Sequence, residues 1–131
     1  MKKLKNLVIV IILFTNMSCN LLSDVKKISH QYYFDVDQIL FVENGDYKGI
    51  GTCVIPPRVF EYELKKNYIF VKSRNNKNVI VYWIIVLNGS KKLIQFNLDS
   101  ELYPNYHSVK NVFGPLDSLQ LESKKDSLNF R

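Results

Sequence analysis

Cysteine and histidine are scarce in this chain, with two of each in 131 residues. So few thiols cannot staple a disulfide-dense scaffold or furnish a multi-cysteine zinc module. Five glycines and four prolines exclude collagen-like and low-complexity linker sequences. Long apolar runs are missing as well. Leu7–Phe14 has eight residues and Val79–Leu87 nine, whereas a membrane-crossing helix needs ~20. What the chain does have is 47% apolar and 13% aromatic residue, enough to build a core and to exclude wholesale disorder. A chain of this length holds one small domain.

The formal charge is +6, from 18 Lys and Arg against 12 Asp and Glu. Lys2, Lys3 and Lys5 precede the first apolar run, and without them 15 basic residues face 12 acidic ones. The rest is scattered over pairs such as Lys65-Lys66, Lys91-Lys92 and Lys124-Lys125. At turns and helix ends, lysine protects hairpin edges and complements the helix dipole. No acidic partner is indicated, and nucleic-acid binding lacks an RNP-like string and conflicts with export.

Residues 1–18 have the layout of a secretory signal peptide: a basic start, the apolar core Leu7–Phe14, and the short polar stretch Thr15–Ser18 ending on Cys19. A Cys after the cleavage region, preceded by the small Ser18, resembles the bacterial lipoprotein signal, in which that Cys becomes the acylated first residue. Asn16 stands where many lipoboxes carry Leu, which resembles the relaxed form found among Bacteroidetes. Acylation at Cys19, palmitate included, would hold a soluble domain on a bilayer, since each buried methylene contributes ~0.8 kcal/mol and a single chain is marginal. The expected address is the cell envelope, with the domain outside the cytoplasm and facing the periplasm. The mature chain would be Cys19–Arg131, 113 residues, with 19–30 as a polar tether and 31–131 as one β-rich domain. The alternatives are a secreted protein with a Cys19–Cys53 disulfide, or a Cys19 lost with the signal. Acylation leaves Cys53 alone within an apolar strand, where it reads as a small packed hydrophobe.

Beyond the tether, β-branched and aromatic runs alternate with Asn, Gly, Lys and Pro punctuation, a strand-and-turn rhythm. Strands are expected at 32–43 and 47–55, joined by an Asn44-Gly45 hairpin turn, with Gly49 and Gly51 marking a bulge or a close backbone approach. Pro56-Pro57 cannot donate ladder bonds and ends a strand or opens the next at an edge. In 58–64, Phe60, Tyr62 and Leu64 alternate with Val59, Glu61 and Glu63, which assigns the first set to the core. Strands follow at 68–74, at 79–87 (apolar on both faces, so central) and at 92–98, then a loop at 99–107 and a short strand at 109–113. Gly114-Pro115 breaks the chain, and Asp117 with Gln120 forms a capping-box pattern for a helix over 116–128. The expected fold class is mainly β with one C-terminal helix, an antiparallel meander sheet of about five to seven strands.

Four segments in order, Val54-Ile-Pro-Pro-Arg-Val59, Tyr68-Ile-Phe-Val-Lys72, Tyr82-Trp-Ile-Ile85 and Val112-Phe-Gly-Pro-Leu-Asp117, resemble an uncharacterised, Bacteroidetes-like family of small bacterial lipoproteins, a domain of unknown function. The resemblance spans roughly 50–128 and departs from the family pattern between the Trp83 strand and Gly114. It implies an address and a fold and supplies no catalytic residue.

No nucleophile elbow, P-loop, H-E-x-x-H or Cys/His cluster occurs, so no catalytic residue, metal ligand or cofactor is expected. His30 and His107 read as solvated side chains of the tether and the loop. Glu61 and Glu63 lie on one strand face with α-carbons ~6.5–7 Å apart, compatible with a glycan hydrolase, as is the pair Asp35 and Asp37. Alternating acids on a solvent face give the same pattern. Tyr32, Tyr33, Tyr103 and Tyr106 are the candidate binding surface, because a flat ring with a polar tip suits a wet interface. Three functions result: a non-enzymatic envelope module binding a protein or glycan partner, an immunity-type lipoprotein neutralising a periplasm-directed toxin, and a small glycan hydrolase.

Overall fold

A computed structural model describes residues 25–93, 102 and 109–130. Two four-stranded antiparallel sheets face each other, and one helix closes the chain. Sheet A runs β1 (Val25–Ser29), β2 (Tyr32–Asp35), β3 (Gln38–Phe41), β4 (Thr52–Ile55); sheet B runs β5 (Val59–Lys65), β6 (Tyr68–Arg74), β7 (Ile80–Val86), β8 (Val112–Leu116), each in sequence order. Helix α1 spans Ser118–Ser127.

The mainly-β class with a terminal helix is as expected, while the single sheet is corrected to two. Pro56-Pro57 cause the division: β4 stops at Ile55, two residues without N–H donors follow, and Arg58 takes φ 83°. The ladder cannot continue, and β5 starts a second sheet. The strand expected over 32–43 is two strands, because Asp35-Val36-Asp37 turns the chain with Val36 at φ 59° and Asp37 N–H donating to Asp35 O at 2.7 Å. Asn44-Gly45 does not make a two-residue hairpin; β3 and β4 are separated by ten residues that fold back over sheet A. Residues 25–29 belong to β1 and pair with β2, so the tether expected over 19–30 is shorter than the sequence suggested. The strand expected at 92–98 falls largely outside the described residues, where only the bridge Leu93 to Val109 marks it.

The core lies between the sheets: Tyr32, Ile39, Val54 and Ile55 from A against Val59, Ile69, Val71, Val81, Trp83 and Ile85 from B. Trp83 is fully buried and its indole N–H donates to Ser73 Oγ at 2.8 Å. Asn111 Nδ2 donates across the sandwich to Tyr32 Oη at 2.7 Å and to Val86 O at 3.1 Å. β7 is central as expected, with Trp83, Ile84 and Ile85 all buried on its two faces. Gly114 sits inside β8, not at a chain break, and its φ is 149°. A β-carbon there would stand 2.4 Å from Trp83 Cε3.

The capping box forms as read: Asp117 Oδ1 accepts from Gln120 N–H at 2.8 Å, and Gln120 Oε1 accepts from Asp117 N–H at 2.9 Å. The helix docks through Leu121, Lys124, Lys125 and Leu128, the half-buried positions at one-face spacing. Two of those four are lysines whose ammonium groups lie over rings, Lys124 at 3.7 Å from the Phe113 centroid and Lys125 at 5.2 Å from that of Phe70. Long stems cover the sheet while the charges stay wet.

Gly114→Ala is expected to destabilise the domain by about 2–4 kcal/mol, combining a clash in a packed core with a backbone angle that L residues avoid. Urea unfolding followed through Trp83 fluorescence measures it.

Candidate functional site

Sheet B exposes its outer face beside α1. Cross-strand partners share a face, so the register of β5 with β6 puts Glu61, Glu63 and Lys65 with Lys72, Phe70 and Tyr68 on that side. A bulge between Val59 and Glu61 produces this arrangement. It buries Val59, turns Phe60 out to solvent, and resumes alternation with Tyr62 and Leu64 inward. The core assignment is therefore corrected for Phe60 and Leu64, while Tyr62 packs against the core as expected. Phe60 is exposed, Tyr62 is half-buried against Phe34 with centroids 5.1 Å apart, and Leu64 is exposed. The four- and five-residue strands of sheet A do not cover the full length of the seven-residue edge strand β5.

Between β5 and α1 the outer face forms a groove of about 230 Å³, with Phe70 and Tyr82 at its base, Glu61, Glu63 and Lys65 on one rim, and Leu121, Lys125 and Phe130 on the other. Phe130 closes one end by packing edge-on to Tyr68 and Phe70, at centroid distances of 5.7 and 4.8 Å. Lys65 and Lys66 approach its ring at 5.3 and 5.4 Å. Tyr68 Oη donates to Leu128 O at 3.3 Å and fastens the helix end. Glu61 pairs with Lys72 at 3.1 Å, with both side chains about half exposed. An ion pair this exposed is worth little to stability, so its charges remain open to a ligand. Aromatic floor and rims of both signs suit a zwitterionic or polar ligand laid over rings.

Glu61 and Glu63 are thus brought together on one groove. Both are exposed, and a general acid for glycoside cleavage is usually held in apolar surroundings that keep it protonated. Asp35 and Asp37 flank the β2–β3 turn and do not line the groove; Asp35 Oδ2 accepts from Tyr47 Oη at 3.3 Å. Among the described residues no group of three His, Cys, Asp or Glu side chains stands close enough to hold a metal ion, and no described helix is long and apolar enough to cross a membrane.

The tyrosine surface is corrected in part. Tyr32 and Tyr33 are only 2% and 8% exposed. Tyr32 fills the core and receives the Asn111 amide, and burial pushes its phenol above the usual tyrosine range. Tyr33 lies on the other face of sheet A, donating to Gly45 O beneath the 42–51 loop, with the Tyr47 ring 5.4 Å away. Partial burial, then the Asp35 carboxylate, raises the Tyr47 phenol as well. Tyr103, Tyr106, His107 and Cys19 lie outside the described residues. Phe70 and Tyr82 fall within the segments Tyr68–Lys72 and Tyr82–Ile85, which were read as strands and not as a binding surface, and Phe130 carried no signal at all.

Cys53 is half-buried on β4, its thiol donating to Ile55 O at 3.2 Å. Burial, with the Asp37 charge adding to it, pushes the thiol from an ordinary 9.0 to about 11. Gly51, beside it, lies 3.2 Å from Leu40 Cβ by its own would-be β-carbon, the close approach expected there.

Protein-family models, curated proteins and solved structures offer no match to the chain.

Two outcomes test the site geometry. Iodoacetamide should modify Cys53 in the native protein only as pH approaches 11, against 9 in denaturant. The raised native value means that the folded state holds this proton more tightly, so its stabilising contribution is complete below pH 9 and lost on rising through 11. Phe130→Ala should cost about 1–2 kcal/mol for a half-buried ring, with amide exchange in residues 124–128 accelerating far more than in β7.

Proposed function

We propose that this is a lipid-anchored cell-envelope protein whose domain is a non-catalytic binding module. The carrying observation is the N-terminal order of basic start, apolar core and Ser18-Cys19, followed within six residues by the first strand. Lipid on Cys19 would supply the membrane attachment that the described residues do not provide. The resemblance to small Bacteroidetes-like lipoproteins supports the same reading through its four segments, which fall on β4–β5, β6, β7 and β8. Recognition is assigned to the sheet face: the groove of Phe70, Tyr82 and Phe130 with its charged rims would take a peptide or glycan of the envelope. That assignment replaces Tyr32 and Tyr33, whose rings are spent on packing.

Position also gives the hydrolase reading one favourable observation, since Glu61 and Glu63 line that same groove. Glu61→Gln with Glu63→Gln separates the two: a binding module shows weaker capture of its partner and no turnover in either form, whereas a hydrolase turns over glycan substrates as wild type and loses that turnover altogether in the variant.

Cys19→Ala is expected to move the protein from the membrane to the soluble fraction, with mass spectrometry showing an unprocessed or unacylated chain. Membrane retention with unchanged mass would overturn the anchor.

A further inference from the structure

We infer that the end of the sandwich at which the chain enters is a bilayer-docking surface, seated on the headgroups of the membrane that carries the Cys19 lipid; the inference rests on the lipoprotein reading above. β1 begins at this end with Val25 opposite Asp35. The β2–β3 turn at Val36, the crossing at Pro56–Arg58 and the β6–β7 turn over 75–79 gather here too. They form one continuous surface. Val59 N–H reaches Asp37 O at 2.7 Å, the Arg58 guanidinium donates to Asn75 O and Asn78 Oδ1 at 2.9 Å each, and Arg74 stacks 5.3 Å from the Phe60 ring.

Half of the large exposed hydrophobics among the described residues stand at this one end: Val36 at 72%, Phe60 at 49%, Val79 at 55% and Ile80 at 39%. Val36 is the most telling. A β-branched residue at φ 59° occupies a turn position that glycine or asparagine fills without strain, and its side chain contributes nothing to the core. Folding alone gives no reason for valine there. Four cations stand among these residues, Lys26, Arg58, Arg74 and Lys77, against two acids, Asp35, whose carboxylate is turned to Tyr47, and Asp37, whose charge acts on Cys53. Apolar side chains that enter the interface beside arginines and lysines that meet anionic phosphates make an interfacial seat.

Reach favours this end over the opposite one. Six residues link Cys19 to Val25, spanning at most about 20–22 Å when fully extended. The seven-residue strands of sheet B span about 20 Å between their end α-carbons. With the other end down, Val25 would stand a whole strand length and a layer of loops above the bilayer, beyond the link. The anchored domain therefore presents its Val36 end.

The test uses the full-length acylated protein in vesicles of phosphatidylethanolamine with the anionic phosphatidylglycerol. Val36→Cys and Val79→Cys, each labelled with an environment-sensitive fluorophore, are compared with Lys66→Cys at the far end. Because Cys53 is half-buried and protonated, labelling at neutral pH is confined to the new thiol. Expected is a blue shift and at least threefold stronger quenching by shallow spin-labelled lipid at 36 and 79 than at 66. Equal quenching at all three positions, or strongest quenching at 66, overturns the proposal. A blue shift at 36 without lipid quenching also overturns it, because a second copy then covers this end. Failure of acylation at Cys19, read by mass, overturns the lipoprotein reading itself and is distinct from an acylated protein whose position 36 stays in water.

Discussion

One ring constrains the architecture. Trp83 lies at the centre of sheet B with no exposed surface, and a buried indole N–H must have an acceptor or lose the energy of an unsatisfied donor. Ser73, its neighbour on β6, supplies that acceptor. On β8 the ring leaves no room for a side chain, so Gly114 fills the position. Three adjacent strands thus owe a residue choice to the same indole: a hydroxyl on one side and a missing β-carbon on the other. The inner face so fixed meets Tyr32, Ile39 and Ile55 of sheet A, and the Asn111 to Tyr32 bond sets their mutual position.

The two outer faces are covered by different means. On sheet A the 42–51 loop folds back and buries Tyr33 and Leu40, pinned by the bond from Tyr33 to Gly45. Gly45 is at φ 80°, and a β-carbon would lie 2.9 Å from His30, so the loop closes tightly. On sheet B the cover is α1, held by lysine stems over Phe70 and Phe113 with few apolar anchors of its own. The helix does not span the whole face. The uncovered part is the groove.

Strand content, the Pro56-Pro57 boundary, the centrality of β7 and the capping box at Asp117 were all legible in the residues. Each depends on local chemistry: donor loss at proline, two-sided apolarity, a side chain reaching its own backbone. Residues 35–37 were not, because a valine at positive φ carries no turn signature and the strand pattern runs through it unbroken. The bulge in β5 was equally silent; one extra residue in the ladder exchanges the faces, and alternation alone assigned Phe60 to the core. Tyr32 and Tyr33 looked like a surface because a flat ring with a polar tip suits a wet interface, and being adjacent on a strand they point to opposite faces. That both faces are covered depends on sheet B and on the 42–51 loop, neither of which is local to them. The groove is legible only in three dimensions, since its base and its rims come from β5, β6, β7, α1 and the segment after α1.

The division at Pro56-Pro57 has a kinetic side. Sheet A is completed by residue 55 and sheet B begins at 59, so among the described residues every pairing of named strands joins strands that are consecutive in the chain. Apart from β8, no described strand has to wait for a distant partner, as it would in a Greek key, and most ladders close short loops. A chain emerging N-terminus first can therefore pair β1 to β4 before any of sheet B exists. Only the long connection from β7 to β8 asks for a later closure, and with it come Val112 and Gly114, the residues that finally lock Trp83 in place.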